Sequence, residues 1–212
     1  MIRLYYYPDN ASFAPHILLH ETGLAHELVL VDRKAQAQKS AEYLRLNPAG
    51  RIPTLAEGEV VVFETPAVCI HIAEADPAAR FIPAPGDPLR SPFFQWMAYL
   101  NNTLQAEFMI WAYPQNHTTD PHCVAAIEAA QAARLGEILA LLDRTLGEGP
   151  YLLGARLTAC DFMLFMLATW CAGLPRPPMS FPNLARFLRL MAQRKAVQEA
   201  GAIEEIDLSA YR

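Results

Sequence analysis

Hydrophobic and polar positions follow two different periods along this chain, and the first half carries the short apolar runs that are typical of strands. From Ile2 to Tyr7 and from Glu27 to Val31, runs rich in Tyr, Leu and Val are bounded by turn residues, which predicts two strands. A helix is predicted between them, beginning near Ser12, with Pro15 in its first turn and Gly23 at its end. The order strand, helix, strand predicts a parallel pair with a right-handed crossover.

The rest of the first half contains two more predicted helices and two more strands. A helical pattern over residues 38–46 is broken by Asn-Pro-Ala-Gly at 47–50. Residues 52–55 and 60–63 are then predicted as strands on either side of a turn, and apolar residues recur at helical spacing over 65–75. The predicted order of the first half is therefore βαβαββα.

A proline-rich connector separates this half from the next. Five prolines lie between residues 77 and 92, a spacing that forbids a regular helix and is typical of an extended linker. We therefore predict an N-terminal domain at 1–76, a linker at 77–89 and a C-terminal domain at 90–212.

The second half shows helical periodicity and no convincing strand pattern, which predicts an all-α domain. Thr158 and Asp161 have the spacing of a capping box, so a buried helix is expected to begin there. The predicted helical segments lie near residues 90–113, 121–146, 158–173 and 181–200.

Composition and charge exclude several classes of function. The net charge is −5, with Lys and Arg scattered, so no surface for nucleic acid is indicated. The longest strongly apolar stretch, 162–173, is too short to cross about 30 Å of hydrocarbon, and the first residues lack a signal-peptide pattern. The four cysteines show neither a CxxC pair nor zinc-finger spacing. We therefore expect a cytoplasmic protein with reduced thiols and no membrane partner.

Three ordered motifs give the chain a resemblance to a known family. Residues 47–55, Asn-Pro-Ala-Gly-Arg-Ile-Pro-Thr-Leu, match a stretch of the form NPxGxVPxL, residues 64–68 match E-S-x-A-I, and residues 153–161 match a capping-box segment. Together with the order of the elements, they resemble the cytosolic glutathione transferases over essentially the whole chain. The resemblance implies a thioredoxin-like N-terminal domain, an all-helical C-terminal domain, glutathione as co-substrate without a metal, and a homodimer that acts in detoxification.

Within that family the chain looks most like the bacterial beta-type enzymes, on residues 4–8, 15–16 and 21–24. Two positions depart from that class. Ala11 stands where beta-type proteins carry a cysteine that forms a mixed disulfide with glutathione, and Gln105 stands in place of a histidine. The resemblance therefore implies glutathione binding without the beta-type cysteine chemistry.

Two segments are expected to bind the backbone and the glycine end of glutathione. The resemblance implies a cis peptide bond before Pro53, which turns the N–H and C=O of Ile52 outward for strand-like pairing with the tripeptide; the alternative is a tight turn alone. The glycine carboxylate is assigned to Arg51, or to the Arg33 and Lys34 pair, although exposed basic residues are usually only solvated.

A third segment is expected to bind the γ-glutamyl end. Thr65, followed by Pro66, is predicted as the N-cap of a helix whose N–H groups and positive dipole end face the γ-glutamyl carboxylate. Glu64 is expected to accept from the γ-glutamyl ammonium. The alternative is a plain N-cap beside a solvated glutamate.

Activation of the thiol is the chemical task that the sequence assigns least clearly. A free thiol has a pKa of about 8.5. Lowering that pKa by about two units requires the protein to stabilise the thiolate over the thiol by about 2.7 kcal/mol. One or two charge-assisted hydrogen bonds at a helix N-terminus supply that much. Ser12, through its hydroxyl and its backbone N–H, is the first candidate, Asn10 the second and Tyr6 the third; an ordinary N-cap is the alternative for Ser12.

A pocket for the second substrate is implied by the resemblance, although the same residues also suit a helical core. A metal site at His16 and His20, four residues apart, is disfavoured because no third ligand is identifiable. The expected wall residues of the pocket are Phe13, Gln105, Phe108, Trp111, Tyr113 and Trp170.

Two functions follow. The first is an enzyme that stabilises the thiolate of glutathione and conjugates it to an apolar electrophile, or uses it to reduce an organic peroxide. Disulfide reduction through an enzyme cysteine is excluded because Ala11 cannot form the mixed disulfide. The alternative is a non-catalytic carrier of apolar ligands, or an interaction module, that keeps the pocket and lacks thiolate activation.

Overall fold

A four-stranded sheet in the order β2-β1-β3-β4 organises the first part of the chain in the computed structural model, which describes residues 1–211. β1 and β2 are parallel, and β3 is antiparallel to both β1 and β4. Leu4 of β1 pairs with Leu28 on one side and Leu55 on the other, and both Leu4 and Leu55 are fully buried. The strands are β1 (Ile2–Tyr6), β2 (His26–Leu30), β3 (Thr54–Glu57) and β4 (Val60–Phe63).

Helices account for the remaining regular structure. The order of elements up to the third helix is βαβαββα, which confirms the predicted thioredoxin-like half, and every named element after it in residues 76–211 is a helix. The helices are α1 (Phe13–Thr22), α2 (Ala41–Leu46), α3 (Thr65–Ala75), α4 (Arg90–Tyr99), α5 (Ala106–Ala112), α6 (Val124–Leu146), α7 (Ala159–Trp170), α8 (Pro182–Ala192) and α9 (Lys195–Ile203).

The described chain forms two compact units, one of residues 1–85 with 191–211 and one of residues 86–190. The first unit thus contains the sheet, α1 to α3 and α9. The sequence-based division at 76 and 90 stays a prediction. No helix or strand lies between Asp76 and Leu89.

α1 is the central helix of the first unit, and its sequence explains its limits. Ile17, Leu18 and Leu19 are fully buried. Gly23 ends the helix in the left-handed conformation at φ 70°, and its N–H donates to the carbonyl of Leu19, as expected for a residue without a Cβ. α3 and α9 both pack on α1, so the C-terminal segment reaches the helix that follows β1.

Two helix boundaries differ from the sequence prediction. The segment near 90–113 is interrupted by six π-helical residues, Leu100–Gln105, between α4 and α5. The segment near 181–200 is two helices, because Arg194 is extended at ψ 134° and its guanidinium binds the carboxylate of Glu21 on α1. Neither interruption contains Pro or Gly, so neither is marked in the sequence.

The predicted capping box at the start of α7 is present. The Asp161 carboxylate accepts the N–H of Thr158 at 2.8 Å, the hydroxyl of Thr158 at 3.1 Å and the N–H of Leu152 at 2.8 Å. Burial raises the pKa of Asp161 to about 6, against the opposing effect of these hydrogen bonds. The helix that it opens is buried on all faces from Ala159 to Ala168.

The helices also bear on the membrane expectation. Among residues 1–211, no helix is both long enough and apolar enough to cross a bilayer.

Candidate functional site

The turn after β1 carries the three candidates for thiolate stabilisation at or beside it. Asp9 has a positive φ of 51°, a conformation that non-glycine residues hold only where surrounding contacts enforce it. Asn10 is half-buried; its Oδ1 accepts the N–H of Ala11 at 2.9 Å and its carbonyl accepts the N–H of Phe13 at 2.9 Å. Within residues 1–211, no acceptor contacts the Asn10 Nδ2 group, which leaves this amide as a donor at the mouth of the turn.

The hydroxyl of Ser12, the first candidate, is hydrogen-bonded inside the protein. The side chain is fully buried. Its hydroxyl donates to the carbonyl of Tyr7 at 3.2 Å and accepts the N–H of Tyr7 at 3.3 Å. Ser12 precedes α1 but makes no side-chain cap. The single hydroxyl proton is therefore already used to fasten the start of α1 to the end of β1.

Tyr6, the third candidate, is the last residue of β1 and is half-buried. Its ring lies 6.0 Å from the ring of His16 between centroids. Burial, and then the nearby Glu204 carboxyl, raise the pKa of Tyr6 above its ordinary 10.0. The phenol is thus held in its protonated form, as a hydrogen-bond donor requires.

The segment before β3 has the backbone shape that the motif implied. The Ile52–Pro53 peptide bond is cis, as expected. Ile52 packs in a small apolar cluster with Val31 and Tyr43. Across residues 1–211, no hydrogen bond is made by the main-chain N–H or C=O of Ile52, so both remain open to an extended peptide.

A buried polar cluster that the sequence reasoning missed fixes this segment. The Tyr43 hydroxyl lies 2.7 Å from the Arg51 carbonyl and 2.8 Å from the Thr54 hydroxyl. The Asn47 amide donates to the same two groups at 2.8 and 3.1 Å. Thr54 and Asn47 are 0% and 1% exposed, so the cluster clamps the chain on both sides of Ile52 and Pro53. The Asn-Pro pair signalled only a turn, and Tyr43 carried no signal.

The start of α3 lies next to the turn after β1. Thr65 is the first helical residue and Glu64 is the N-cap, which corrects the prediction of Thr65 as the cap. The reason is that the Thr65 hydroxyl, at 3% exposure, donates instead to the carbonyl of Ala11 at 3.1 Å. Among residues 1–211, the N–H groups of Thr65 and Ala67 have no acceptor. Open N–H groups at a helix N-terminus are suited to binding an anion.

Glu64 and the basic candidates are exposed. Glu64 has φ 72° and ψ 120°, a strained backbone for a glutamate and a mark of positions where function constrains the chain. The side chain of Arg51 is exposed, and Arg33 lies over the ring of Tyr7 at 5.9 Å. The structure thus leaves Arg51 and Arg33 both open as partners for a carboxylate.

Most of the predicted wall residues lie together in the second unit. The ring of Phe108 is 5.7 Å from that of Trp111 and 5.7 Å from that of Trp170. Gln105 ends the π-helical stretch, and its Oε1 is buried with no partner among residues 1–211. Tyr113, just after α5, is 40% exposed. Phe13 belongs to the first unit and is 1% exposed, so it offers almost no surface to a ligand.

The histidine pair considered as a metal site is engaged in hydrogen bonds. His16 Nδ1 lies 2.7 Å from Glu204 Oε1, and His16 Nε2 lies 3.3 Å from His20 Nε2. Within the described part of the chain, no group of three or more His, Cys, Asp or Glu side chains is arranged to hold a metal ion.

Both halves of the chain match models of known protein families. Residues 1–74 match the family described as Glutathione S-transferase, N-terminal domain, and residues 124–190 match Glutathione S-transferase, C-terminal domain.

Individual relatives agree with these matches. Glutathione S-transferase F14 of Arabidopsis thaliana is 31% identical over 192 residues, which cover 84% of this chain and 74% of that protein. The beta class glutathione S-transferase of Sphingomonas chungbukensis has a solved structure with a TM-score of 0.83 and 26% identity, covering 97% of this chain and 100% of that one. A glutathione transferase homologue from Sulfitobacter, solved with bound glutathione, has a TM-score of 0.87 and 25% identity, covering 96% and 98%.

Proposed function

The chain belongs to the glutathione S-transferase family, and we propose that it binds glutathione in its first unit and holds the thiol as thiolate for attack on an apolar electrophile. The observation that carries this proposal is the set of open polar groups around the turn after β1. Among residues 1–211, the main-chain N–H and C=O of Ile52, the first N–H groups of α3 and the Asn10 Nδ2 group have no hydrogen-bond partner. The Thr65 hydroxyl bonds the α3 start directly to that turn.

Each open group meets one part of glutathione. The main chain of Ile52 pairs with the cysteine of the tripeptide as an added strand would. The N–H groups of Thr65 and Ala67 receive the γ-glutamyl carboxylate, and the Glu64 carboxylate receives the ammonium. Arg51 receives the glycine carboxylate, with Arg33 as the alternative. The Sulfitobacter homologue, which binds glutathione, supports this use of the fold.

Asn10 is proposed as the thiolate donor ahead of Ser12. Its Nδ2 group is free among the described residues, whereas the Ser12 hydroxyl is buried and donates to Tyr7. A hydrogen bond to a charged group contributes about 1.5–3 kcal/mol, enough to lower the thiol pKa by about one to two units. Asn10→Ala should therefore raise the pKa of the bound thiol. Ser12→Ala should lower stability and leave the thiol pKa unchanged.

The reactions proposed are conjugation of an apolar electrophile and reduction of organic peroxides, both by direct attack of the thiolate. The aromatic cluster of Phe108, Trp111 and Trp170 suits an apolar second substrate through shape and desolvation.

We also propose a homodimer, as implied by the family. A cytoplasmic location is proposed because all four cysteines are free thiols. The carrier function remains the second candidate, because binding of an apolar ligand at the aromatic cluster requires no thiolate.

Calorimetric titration with glutathione tests the binding proposal directly. The wild type should bind saturably, and Glu64→Gln should bind about tenfold more weakly because a charge-assisted contact to the ammonium is lost. Glu59→Gln, an exposed neighbour in the turn between β3 and β4, is the matched control and should bind like the wild type. Absence of saturable binding would overturn the proposal. Equal affinity of all three proteins would overturn the role of Glu64.

A further inference from the structure

A buried hydrogen-bonded pair lies behind the turn that carries the proposed thiolate donor. His16 on α1 and Glu204, directly after α9, have side-chain exposures of 0%, and His16 Nδ1 is 2.7 Å from Glu204 Oε1. The second carboxyl oxygen, Oε2, accepts the main-chain N–H of Asp9 at 3.2 Å. One carboxyl group thus ties the strained residue at the mouth of the turn to the C-terminal segment.

The pair continues as a row of hydrogen bonds to the surface. His16 Nε2 lies 3.3 Å from His20 Nε2, and His20 Nδ1 lies 3.3 Å from the carboxylate of Glu199. The side chains of His20 and Glu199 are 20% and 44% exposed. Exposure therefore rises along the row, from the enclosed Glu204 to a carboxylate in contact with water.

One assignment of protons gives each link of the row a single donor. The Glu204 carboxyl donates to His16 Nδ1, the Nε2–H of His16 donates to His20 Nε2, and the Nδ1–H of His20 donates to the Glu199 carboxylate. The pKa shifts agree with it. Burial raises the pKa of Glu204 to about 8, and burial followed by the charge of His26 lowers the pKa of His16 to about 4. Burial also lowers the pKa of His20, with Glu199 opposing.

We propose that Glu204 and His16 are positioning residues for the glutathione thiol, in which a neutral carboxyl holds the Asp9 main chain and exchanges its proton with solvent through His20 and Glu199. The inference rests on the proposed function for its effect on catalysis. A carboxylate would hold the same N–H, but its negative charge behind the turn would oppose formation of the thiolate. The neutral form fixes the turn without that opposition.

Exchange with solvent moves one proton across each hydrogen bond of the row. The Glu204 proton passes to His16 Nδ1, the His16 Nε2 proton passes to His20 Nε2, and the His20 Nδ1 proton passes to Glu199, which releases it to water. Each ring ends neutral in its other tautomer. The net change is one proton lost from Glu204, which becomes a carboxylate.

Other titratable and charged groups surround the row and belong to its electrostatics. Tyr6 of β1 faces His16 at 6.0 Å between rings, and His26 of β2 faces His20 at 5.6 Å. The negative charge of Asp9 raises the pKa of Glu204, while its N–H bond lowers it. At the outer end Lys195 Nζ lies 3.3 Å from the Glu199 carboxylate.

The ionisation of Glu204 is measured first in the ligand-free protein, by carboxyl ¹³C NMR across acidic to alkaline pH. Glu204→Gln identifies the resonance by its loss, and Glu205→Gln at the exposed neighbour is the matched control. The expected midpoint lies near pH 8. A midpoint at the ordinary glutamate value of about 4.3 would overturn the neutral carboxyl. This measurement needs no glutathione, so it stands even where the proposed function fails.

The effect on the thiol is measured by the ratio of kcat/KM for glutathione in Glu204→Gln to that in the wild type. The amide keeps both hydrogen bonds without a charge, so the ratio should be constant below about pH 7 and rise about tenfold above pH 8, because only the wild type then carries a negative charge behind the turn. Glu204→Ala should raise KM about three- to tenfold at neutral pH, because the Asp9 acceptor is lost. A flat ratio, or a glutamine variant as impaired as the alanine variant, would overturn the positioning role.

The solvent route is tested by the exchange of the His16 side-chain N–H with water, followed by NMR in the wild type and in His20→Phe. Phenylalanine fills the same space and carries no proton, so the exchange should slow at least about tenfold if the row conducts it. An unchanged exchange rate would overturn the route through His20 and Glu199.

Discussion

The buried pair of His16 and Glu204 predicts a specific dependence of stability on pH. Glu204 has a folded pKa raised from 4.5 to about 8, so its contribution to stability falls as pH rises through that range. His16 has a folded pKa lowered from 6.5 to about 4, so its contribution is lost as pH falls. Between pH 4.5 and 6.5 the two effects cancel, because the folded and unfolded pairs each hold one proton. From pH 6.5 to 8 only the folded pair holds one, which costs about 2 kcal/mol of stability at about 1.4 kcal/mol per pH unit.

Urea unfolding at fixed protein concentration, at pH 6.5 and at pH 8, measures this loss. Glu204→Gln removes the ionisable carboxyl and keeps the shape, so subtracting its change from that of the wild type cancels the other titrating groups. The wild type should lose about 2 kcal/mol more than the variant between these pH values. Equal losses of unfolding free energy in the two proteins would refute the inference that folded Glu204 keeps its proton up to about pH 8.

Three further outcomes follow from local contacts. Asp161→Ala leaves the three buried donors of the capping box, two of them on Thr158, without an acceptor, and should lower the free energy of unfolding by about 3–5 kcal/mol in urea titrations. A thiol reagent should modify Cys123 rapidly in the native protein and the other three cysteines only after unfolding, because Cys123 alone of the four is exposed. Tyr43→Phe removes hydrogen bonds of 2.7 and 2.8 Å beside the cis peptide and should weaken glutathione binding about three- to tenfold by calorimetry, whereas Tyr113→Phe, at an exposed tyrosine, should not.

The parts of the fold that the sequence predicted are those coded by neighbouring residues. Gly23 ends α1 in the left-handed conformation, which a residue without Cβ adopts without strain. Thr158 and Asp161, three residues apart, form the capping box that opens α7. The Ile52–Pro53 bond follows a motif whose backbone form the family resemblance implies. These signals depend on residues that are close in sequence, so they can be recognised without knowledge of the tertiary contacts.

The interruptions of the helices were not predictable, because distant contacts cause them or no local residue marks them. Arg194 leaves the helical conformation and binds Glu21, which lies 173 residues earlier. The π-helical stretch of Leu100–Gln105 contains neither Pro nor Gly, and its Asn-Asn-Thr run lowers helix propensity without marking a π-helix. Periodicity reported helical segments correctly in both places and gave no information on where they bend.

In the candidate site, too, features coded by neighbouring residues were predicted and features set by distant contacts were not. The motifs placed Glu64, Thr65 and Ile52 on segments that the structure leaves open to a ligand. The ranking of Ser12 rested on its place at a helix start, and only the structure shows that its hydroxyl faces inward to Tyr7. Glu204 gave no signal, because its partner His16 is 188 residues away.

The pKa of the glutathione thiol bound to the protein decides whether the protein activates glutathione or only binds it. Thiolate absorbance in the far ultraviolet is followed against pH, with the protein alone as the blank. We expect a bound-thiol pKa about one to two units below the free value of about 8.5, and a return toward that value in Asn10→Ala. Saturable binding with an unshifted thiol pKa would contradict the catalytic claim and favour the carrier.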